Sequence, residues 1–468
     1  MSYQPYHLPG SSRVEPSARD GLASVPLGYV LAAGILLVAA LLRVSASITY
    51  SPALMWDDSW QYVFGTSLPG GFTIDKPNGY MLFLRVLGSG HHLALVTFVN
   101  HLLGLAGGVL LFLLMRRQGV GSIVAALAMG VVLLDAYAIA LEQHVLAEAL
   151  FAFLLVLWAF CAITRPRNWQ WAVVAGVVLV AVISVRAAGI FVVPVWIVFA
   201  MWAYRGWLPR VAAVAAVVVG VVGIAAWHDA KAGGFGLNQM SGWQLYGRVA
   251  EMADCAGRSV PESEQSLCPP AELPSDWADP YSYALFSPDS PVNRTFGSLY
   301  DLPTNQRLRA DARLRAFSRD AILDRPLTFL GLIARDTTRY AIPGRMSFDP
   351  SYDDAITFPR EPQPLKPVES ITRDAFSPGY EPPPANTASF LPAYGDWAHT
   401  PRWLMALLFV AGLVAIVLRA SSRLRAQLEH GPATLLLTGA GFSLLLGSSL
   451  NHFEVRYLIP AVPLLVGG

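Results

Sequence analysis

Two adjacent carboxylates stand beside tryptophans in the stretch MWDDSWQYVF, soon after the first long apolar segment. Asp57 and Asp58 lie about fifteen residues beyond that segment, at a predicted membrane surface. A carboxylate placed there can accept a proton from the hydroxyl group of a nucleophile, which is general-base chemistry. The alternative is structural, because Asp often accepts backbone N–H bonds at a helix start or in a turn.

A second group of ionisable residues, Glu142, His144 and Glu148, lies in the stretch LEQHVLAEALF. If this stretch is helical, His144 and Glu148 share one face, because residues four apart are neighbours on a helix. Ionisable residues at or within a membrane span are costly and are therefore functional candidates. They could bind an acceptor or a divalent cation. Solvation at the membrane interface is the alternative for Glu142 and His144.

Three basic residues complete the set of candidates. Arg186 lies between two apolar runs, Arg456 lies in HFEVRYLIP, and Lys76 lies in DKPNGY. Two arginines facing a cavity in the outer leaflet would form a bidentate clamp for a lipid phosphate, and Lys76 would add a third positive charge. The alternative for each arginine is a side chain that extends to the lipid headgroups.

The elements that must position these residues are membrane helices. Of the 468 residues, 54% are hydrophobic and 14% are charged, whereas an average soluble domain carries about 25% charged residues. The net charge of +1 gives no overall field that would attract nucleic acid. Apolar segments of spanning length predict about ten transmembrane helices, the first beginning near Leu22.

The predicted organisation has four parts. A polar tail rich in Pro, Ser and Gly is expected to be disordered on the cytoplasmic side. A membrane catalytic module follows, then an extracytoplasmic α or α+β domain that lacks apolar runs of spanning length, then the last membrane helices. The corresponding ranges are 1–21, 22–228 with a first extracytoplasmic loop at 45–90, 229–401 and 402–468. Apolar spacing within the third part predicts two helices separated at Pro326.

Arginines in the short loops orient the spans. Arg116 and Arg117 are among several basic residues at alternate ends of the spans, and such residues mark the cytoplasmic side. All candidate residues then face outward from the plasma (inner) membrane. Cys255 and Cys268 lie on the same side, where an oxidising compartment favours a disulfide over two unpaired thiols or a zinc site.

The chain resembles the membrane-embedded glycosyltransferases of the GT-C class. It is most similar to the bacterial branch that includes protein O-mannosyltransferases and aminoarabinose transferases, which use polyprenyl-phosphate sugars. The resemblance is carried by Arg186 and by the segments DDSWQY, DKPNGYMLFL, ALEQHVLAEALFAF and RYLIPAVPLL. The chain departs from the family at Asn78, which replaces the second proline of a KPP segment, and in its Asp-Asp pair, which is Asp-Glu in many relatives.

The resemblance implies an inverting glycosyltransferase. A sugar, such as mannose or arabinofuranose, would pass from a polyprenyl-phosphate donor to a hydroxyl group of a cell-envelope glycan, lipid or protein. Asp58, preferred over Asp57, would be the general base, and arginines would stabilise the leaving phosphate. The alternatives are a transporter or flippase of a lipid-linked substrate, for which internal repeats would be typical, and a catalytically silent scaffold.

Overall fold

The computed structural model describes most of the chain. The described residues are 26–164, 168–255, 261–270, 272–275, 277, 279–342, 357–361, 365–384, 389–420, 431–451 and 453–468. The predicted tail at 1–21 lies outside them. Within the described ranges the chain is helical, without a β-strand, and one isolated bridge joins Leu54 to His144.

The helices follow one another with short connections. In chain order they are Leu27–Thr49 (α1), Asp57–Gly65 (α2), Gly79–Val86 (α3), Leu93–Arg117 (α4), Ser122–Leu133 (α5), Ala136–Gln143 (α6), Glu148–Thr164 (α7), Trp169–Val185 (α8), Val193–Ala203 (α9), Trp207–Ala232 (α10), Ser241–Ala250 (α11), Pro280–Phe286 (α12), Pro291–Phe296 (α13), Thr304–Asp324 (α14), Pro326–Arg339 (α15), Pro367–Phe376 (α16), Leu391–Trp397 (α17), Arg402–Ala420 (α18), Gly431–Ser449 (α19) and Leu458–Gly467 (α20).

The apolar helices make the chain a multi-pass membrane protein. Among the described residues, four helices are long and apolar enough to cross a membrane, namely α1, α4, α10 and the part of α19 from Pro432 to Ser449. Helices α5 and α6 meet the same criterion together, with a bend of 50° between them. Five further apolar helices are shorter. The predicted number of about ten spans is therefore not confirmed.

The apolar segment at 120–141 predicts one continuous span, and the bend between α5 and α6 interrupts it. Asp135 caps α6, because its Oδ1 accepts the backbone N–H of Ala138 at 3.0 Å. Its Oδ2 also accepts the backbone N–H of Thr400 at 2.6 Å, and this bond ties the bend to the segment before α18. A buried aspartate with bonds to two segments fixes the bend in place.

The membrane helices pack into one bundle that brings several helix ends together. Helix α8 packs against α7 and α10, α7 packs against α4, and α20 packs against α19 and α7. The fully buried tryptophans Trp158 and Trp196 contact each other in an edge-to-face arrangement with ring centroids 5.8 Å apart. This packing places the start of α7, the end of α8 and the start of α20 near one another.

The third part of the chain carries its own core. Helix α11 packs against α14, and Tyr246 contacts Phe317 with ring centroids 5.6 Å apart. Helices α14 and α15 are separated at Pro326 as predicted, because proline lacks an N–H and is well suited to the first turn of a helix. Cys255 and Cys268 are joined by a disulfide. The side of the membrane on which this part lies stays a prediction.

Candidate functional site

The acidic pair stands in the first turn of α2. The backbone N–H of Trp56 donates to Ser59 Oγ at 2.9 Å, so Ser59 makes the side-chain bond across the helix start. Asp57 and Asp58 are the first two helical residues, where the helix dipole favours negative charge. Because successive residues diverge by about 100° around a helix, the two carboxylates face different surroundings.

Asp58 faces inward and is paired with two cations. Its Oδ1 lies 3.1 Å from Lys76 Nζ, and its Oδ2 accepts a bond from Arg456 Nη1 at 2.7 Å. Burial opposes ionisation of Asp58, but the charges of Lys76 and Arg456 outweigh that effect and hold its pKa well below the usual range. Asp57 faces away, with 46% of its side chain exposed, and bonds to Lys366 Nζ at 2.6 Å.

Lys76 is held in its turn by local bonds. Its backbone N–H donates to Thr73 Oγ1 at 3.2 Å, and its Nζ lies 2.9 Å from Asp75 Oδ2 and also donates to the side chain of Gln61. Burial disfavours the charge on Lys76, but Asp58 and then Asp75 outweigh it, so its pKa is raised well above the usual value. Lys76 is therefore a fixed cation beside Asp58.

Glu148, the first residue of α7, joins the two arginines. Its side chain is 1% exposed, and its Oε1 accepts a bond from Arg186 and lies 3.7 Å from Arg456 Nη1. Its Oε2 has no hydrogen-bond partner within the described ranges. The guanidinium of Arg186 lies 4.8 Å from the centre of the Tyr457 ring, which adds a cation–π contact.

These residues form a connected set of charges that we term the ion network. Arg456 Nε lies 2.7 Å from Glu454 Oε1, and the Arg456 guanidinium lies 4.7 Å from the Trp56 ring. The members of the ion network are Asp58, Asp75, Lys76, Glu148, Arg186, Glu454 and Arg456. Sequence reasoning missed Asp75 and Glu454. Their signal was position, because each lies within two residues of a predicted phosphate-binding cation.

Glu142, His144 and Glu148 do not share one helix, because α6 ends at Gln143 and α7 begins at Glu148, and their binding of an acceptor or cation stays a prediction. Glu142 bonds to Arg43 Nε and Nη2, both at 2.7 Å, and to His101 Nδ1 at 2.8 Å. The His144 ring bonds through Nδ1 to the carbonyl oxygen of Ala140 at 2.7 Å.

Both side chains are buried, and their bonds to Arg43, His101 and Ala140 lie outside the ion network. In the part of the chain that the structure describes, no group of three or more His, Cys, Asp or Glu residues is placed to hold a metal ion.

Sequence reasoning also missed Arg43 and His101. Arg43 is 3% exposed in α1, and His101 is 4% exposed in α4. The sequence signal for Arg43 was its position at the end of an apolar segment, because a buried cation there needs a carboxylate partner.

An apolar cavity reaches the ion network from within the bundle. Its volume is about 50 Å³, and it lies between α4, α6, α7 and α20. Glu142 and Glu148 are the two glutamates in its wall, which is otherwise mostly apolar and includes Phe153 and Val462. Gly104 in α4 leaves room for Glu142, because a Cβ at this position would collide with Oε1. The cavity thus offers apolar space that Glu148 borders.

Comparison with known proteins finds similar solved structures but no matching sequence family. No protein-family model matches the chain, and no curated protein matches it. One similar solved structure is an Archaeoglobus fulgidus oligosaccharyltransferase tethered by a disulfide bond to an acceptor peptide containing the NVT sequon, with 14% identity, a TM-score of 0.39 and coverage of 93% of this chain and 48% of that one.

Another similar structure is archaeal oligosaccharyltransferase AglB from Archaeoglobus fulgidus in complex with an inhibitory peptide and a dolichol-phosphate. It shows 13% identity, a TM-score of 0.39 and coverage of 95% of this chain and 50% of that one. The chain spans about half the length of the solved structures it matches. The resemblance to polyprenyl-phosphate-sugar transferases stays a prediction.

Proposed function

We propose that the chain is an inverting glycosyltransferase that moves a sugar from a polyprenyl-phosphate donor to a hydroxyl group of a cell-envelope glycan, lipid or protein. The observation that carries the proposal is the position of Asp58 between Lys76 and Arg456. A general base must be unprotonated before it acts, and these two cations keep the Asp58 carboxylate ionised in the free enzyme. A donor phosphate that takes over the two cations would raise the pKa of Asp58 and make it a stronger base. The same cations lie where a leaving phosphate would need positive charge.

The donor phosphate would bind to the cations of the ion network. Lys76, Arg186 and Arg456 are each paired with a carboxylate. A bound phosphate would therefore replace these carboxylates as the partner of the cations. The cations are already mostly buried, so they would lose little further hydration on binding. The apolar cavity that Glu148 borders suits the first isoprene units of the lipid. Glu148 keeps the proposed role of holding the acceptor or a cation, whereas Glu142 is committed to Arg43.

The transfer would proceed as a single displacement. The acceptor hydroxyl gives its proton to a carboxylate oxygen of Asp58 while its oxygen forms a bond to the anomeric carbon of the sugar. The bond between that carbon and the phosphate oxygen breaks, and the lipid phosphate leaves with the electron pair. Arg456 and Arg186 stabilise the anion, so the leaving group needs no proton.

The proposal places this reaction on the extracytoplasmic face of the plasma membrane. The modules at 22–228 and 402–468 would form the catalytic body, and the five shorter apolar helices would cross the bilayer together with the longer ones. The region at 229–401 would select the acceptor. Its contact with the site supports this role, because Tyr300 Oη donates to Asp75 Oδ2 at 3.3 Å.

Two matched variants test the base. Asp58→Asn and Asp57→Asn remove adjacent carboxylates from one helix turn, and both are assayed in membranes supplied with labelled polyprenyl-phosphate sugars, including mannose and arabinofuranose. We expect Asp58→Asn to lower the transfer rate by about 10²- to 10⁴-fold, the usual contribution of a general base. Asp57→Asn should stay near the wild-type rate, because its partner Lys366 lies outside the ion network.

The controls separate a failed mechanism from a failed fold. Asp58→Asn should unfold at a lower temperature than Asp57→Asn, because Asp58 is paired with two cations, so transfer is measured at a temperature at which both variants are folded. Unchanged transfer in both variants would refute the mechanism. Movement of intact donor across vesicle membranes without its turnover would favour a transporter or flippase, and donor binding with neither activity would favour a scaffold.

A further inference from the structure

The exposed face of helix α15 is apolar. Leu327 is 81% exposed and Leu330 is 58% exposed, and Leu323 at the end of α14 is 70% exposed. Gly331 and Ala334 continue the same exposed face. A helix with period 3.6 brings the α15 positions to one side, and we term these positions, together with Leu323 three residues before Pro326, the leucine face.

The opposite side of α15 packs inward through Phe329, Leu332 and Ile333 and carries one buried carboxylate. Asp336 is fully buried, and its Oδ2 accepts a bond from Arg248 Nη1 of α11 at 2.7 Å. Its Oδ1 accepts a bond from Arg335 Nε at 2.9 Å. A helix at the surface of a soluble domain buries its apolar side and exposes its charges. Helix α15 is apolar on both sides, because Phe329, Leu332 and Ile333 face the core while Leu327 and Leu330 are exposed, and this indicates that the medium around the leucine face is not water.

The C-terminal end of α15 lies at the edge of the membrane bundle. Thr337 Oγ1 and Ser449 Oγ are 3.0 Å apart, and Ser449 is the last residue of the candidate span in α19. Three residues further along, Tyr340 Oη donates to the carbonyl oxygen of Glu454 at 3.3 Å. Glu454 belongs to the ion network, so α15 meets the bilayer on the same face as the candidate site.

The geometry points to a lipid surface as the occupant of the leucine face. We infer that α15 lies along the membrane interface and inserts Leu323, Leu327 and Leu330 at the boundary between headgroups and acyl chains, as interfacial amphipathic helices do. The choice of lipid over a second protein follows from continuity, because the helix is bonded to the end of a membrane span. The inference does not rest on glycosyl transfer.

Nitroxide labels on the full chain test this contact. In a Cys161→Ala background, which removes the one free cysteine within the described ranges, single variants Leu327→Cys and Leu330→Cys are labelled. The protein is reconstituted in phosphatidylethanolamine–phosphatidylglycerol vesicles. Collision with oxygen, which concentrates in lipid, is compared with collision with a water-soluble nickel chelate.

Thr328→Cys is the matched control. Thr328 is exposed on the same helix and points about 100° away from Leu327. We expect the oxygen-to-nickel collision ratio to be several-fold higher at Leu327 and Leu330 than at Thr328. Equal ratios at the three positions would overturn the inference. Low accessibility to both reagents at Leu327 and Leu330 would also overturn it, because a protein surface would then cover the leucine face.

Discussion

At the scale of single residues, the two cations beside Asp58 determine how the site responds to pH. Burial opposes ionisation of this carboxylate, but Lys76 and Arg456 hold its pKa well below the usual range. A depressed carboxylate pKa stabilises the fold above the unfolded value of about 3.9, and this stabilisation is lost as the pH falls through the folded value. Lys76 has the opposite shift, so its charge persists well into the alkaline range.

The pH dependence of transfer follows from these shifts. We expect kcat/KM for the donor to show no acid limb from Asp58 between about pH 5 and pH 8, because the free enzyme keeps this carboxylate ionised throughout. The measurement is a rate profile in buffers of constant ionic strength. An acid limb centred near pH 6 that moves when Asp58 is replaced by Glu would contradict the expectation.

Glu142 should be a stability residue, in contrast to its predicted part in an acceptor or cation site. Glu142→Gln would leave Arg43 buried with no carboxylate partner. Removal of one partner of a buried pair typically costs about 3–5 kcal/mol. We expect a loss of this size in the free energy of unfolding, measured in mixed micelles.

An exposed ion pair provides the control for Glu142. Arg360 and Asp396 are paired at 2.7 Å, with 65% of each side chain exposed. Asp396→Asn should change the free energy of unfolding by about 0–1 kcal/mol, because water screens such pairs. If Glu142→Gln changes the free energy of unfolding as little as Asp396→Asn does but loses transfer activity, Glu142 acts directly in the site. Its assignment as a stability residue would then be wrong.

The sequence predicted the residues of the site better than their partners. Asp58 and Arg456 are 398 positions apart, yet both were expected on one membrane face, since apolar spans alternate the side on which loops emerge. The partner of Glu142 depends on the direction in which its side chain leaves a short helix. Helix α6 has only eight residues, so no periodic pattern could show that Glu142 faces Arg43.

At the scale of secondary structure, the helix break at Pro326 could be predicted from the sequence, whereas the bend at Asp135 could not. The separation of α14 from α15 follows from Pro326 alone, because the missing N–H is a local property. The bend between α5 and α6 depends on Asp135, whose partner Thr400 lies 265 positions away. A long-range bond of this kind has no local signature, so the interrupted span was predicted as continuous.

Helix α4 forms part of the cavity wall. Gly107 in α4 lines the cavity, and a Cβ there would meet no atom closer than 3.9 Å. Gly107→Leu should therefore fold and place its side chain in the apolar space. Each CH₂ group of the donor lipid kept out of the cavity costs about 0.8 kcal/mol, so exclusion of two raises KM roughly tenfold.

A glycine outside the cavity is the control. Gly34 in α1 is exposed, with no atom within 4 Å of an added Cβ. Gly34→Leu should leave the KM of the donor unchanged. The comparison is repeated with a donor carrying a shortened lipid, for which Gly107→Leu should have a smaller effect. Equal KM values for Gly107→Leu and wild type with the full-length donor would exclude the cavity as the lipid site.

At the scale of the whole molecule, the orientation in the membrane decides whether the ion network can meet an extracytoplasmic donor. Arg116 and Arg117 end α4, and His92 precedes it, so the two ends of this span lie on opposite sides of the bilayer. Basic residues in short loops mark the cytoplasm. The first loop, the ion network and the disulfide between Cys255 and Cys268 would then share the outer face, where disulfides persist.

Cysteine labelling in intact cells tests this orientation. Asp289→Cys replaces a side chain that is 75% exposed, and Gly121→Cys adds a side chain to the connection after α4, where no atom lies within 4 Å of the new Cβ. Cys161 is buried, so the background reaction should be low. An impermeant maleimide should label Asp289→Cys in intact cells and label Gly121→Cys only after the membrane is permeabilised. The reverse pattern would put the ion network on the cytoplasmic face and would refute the proposal of an extracytoplasmic donor.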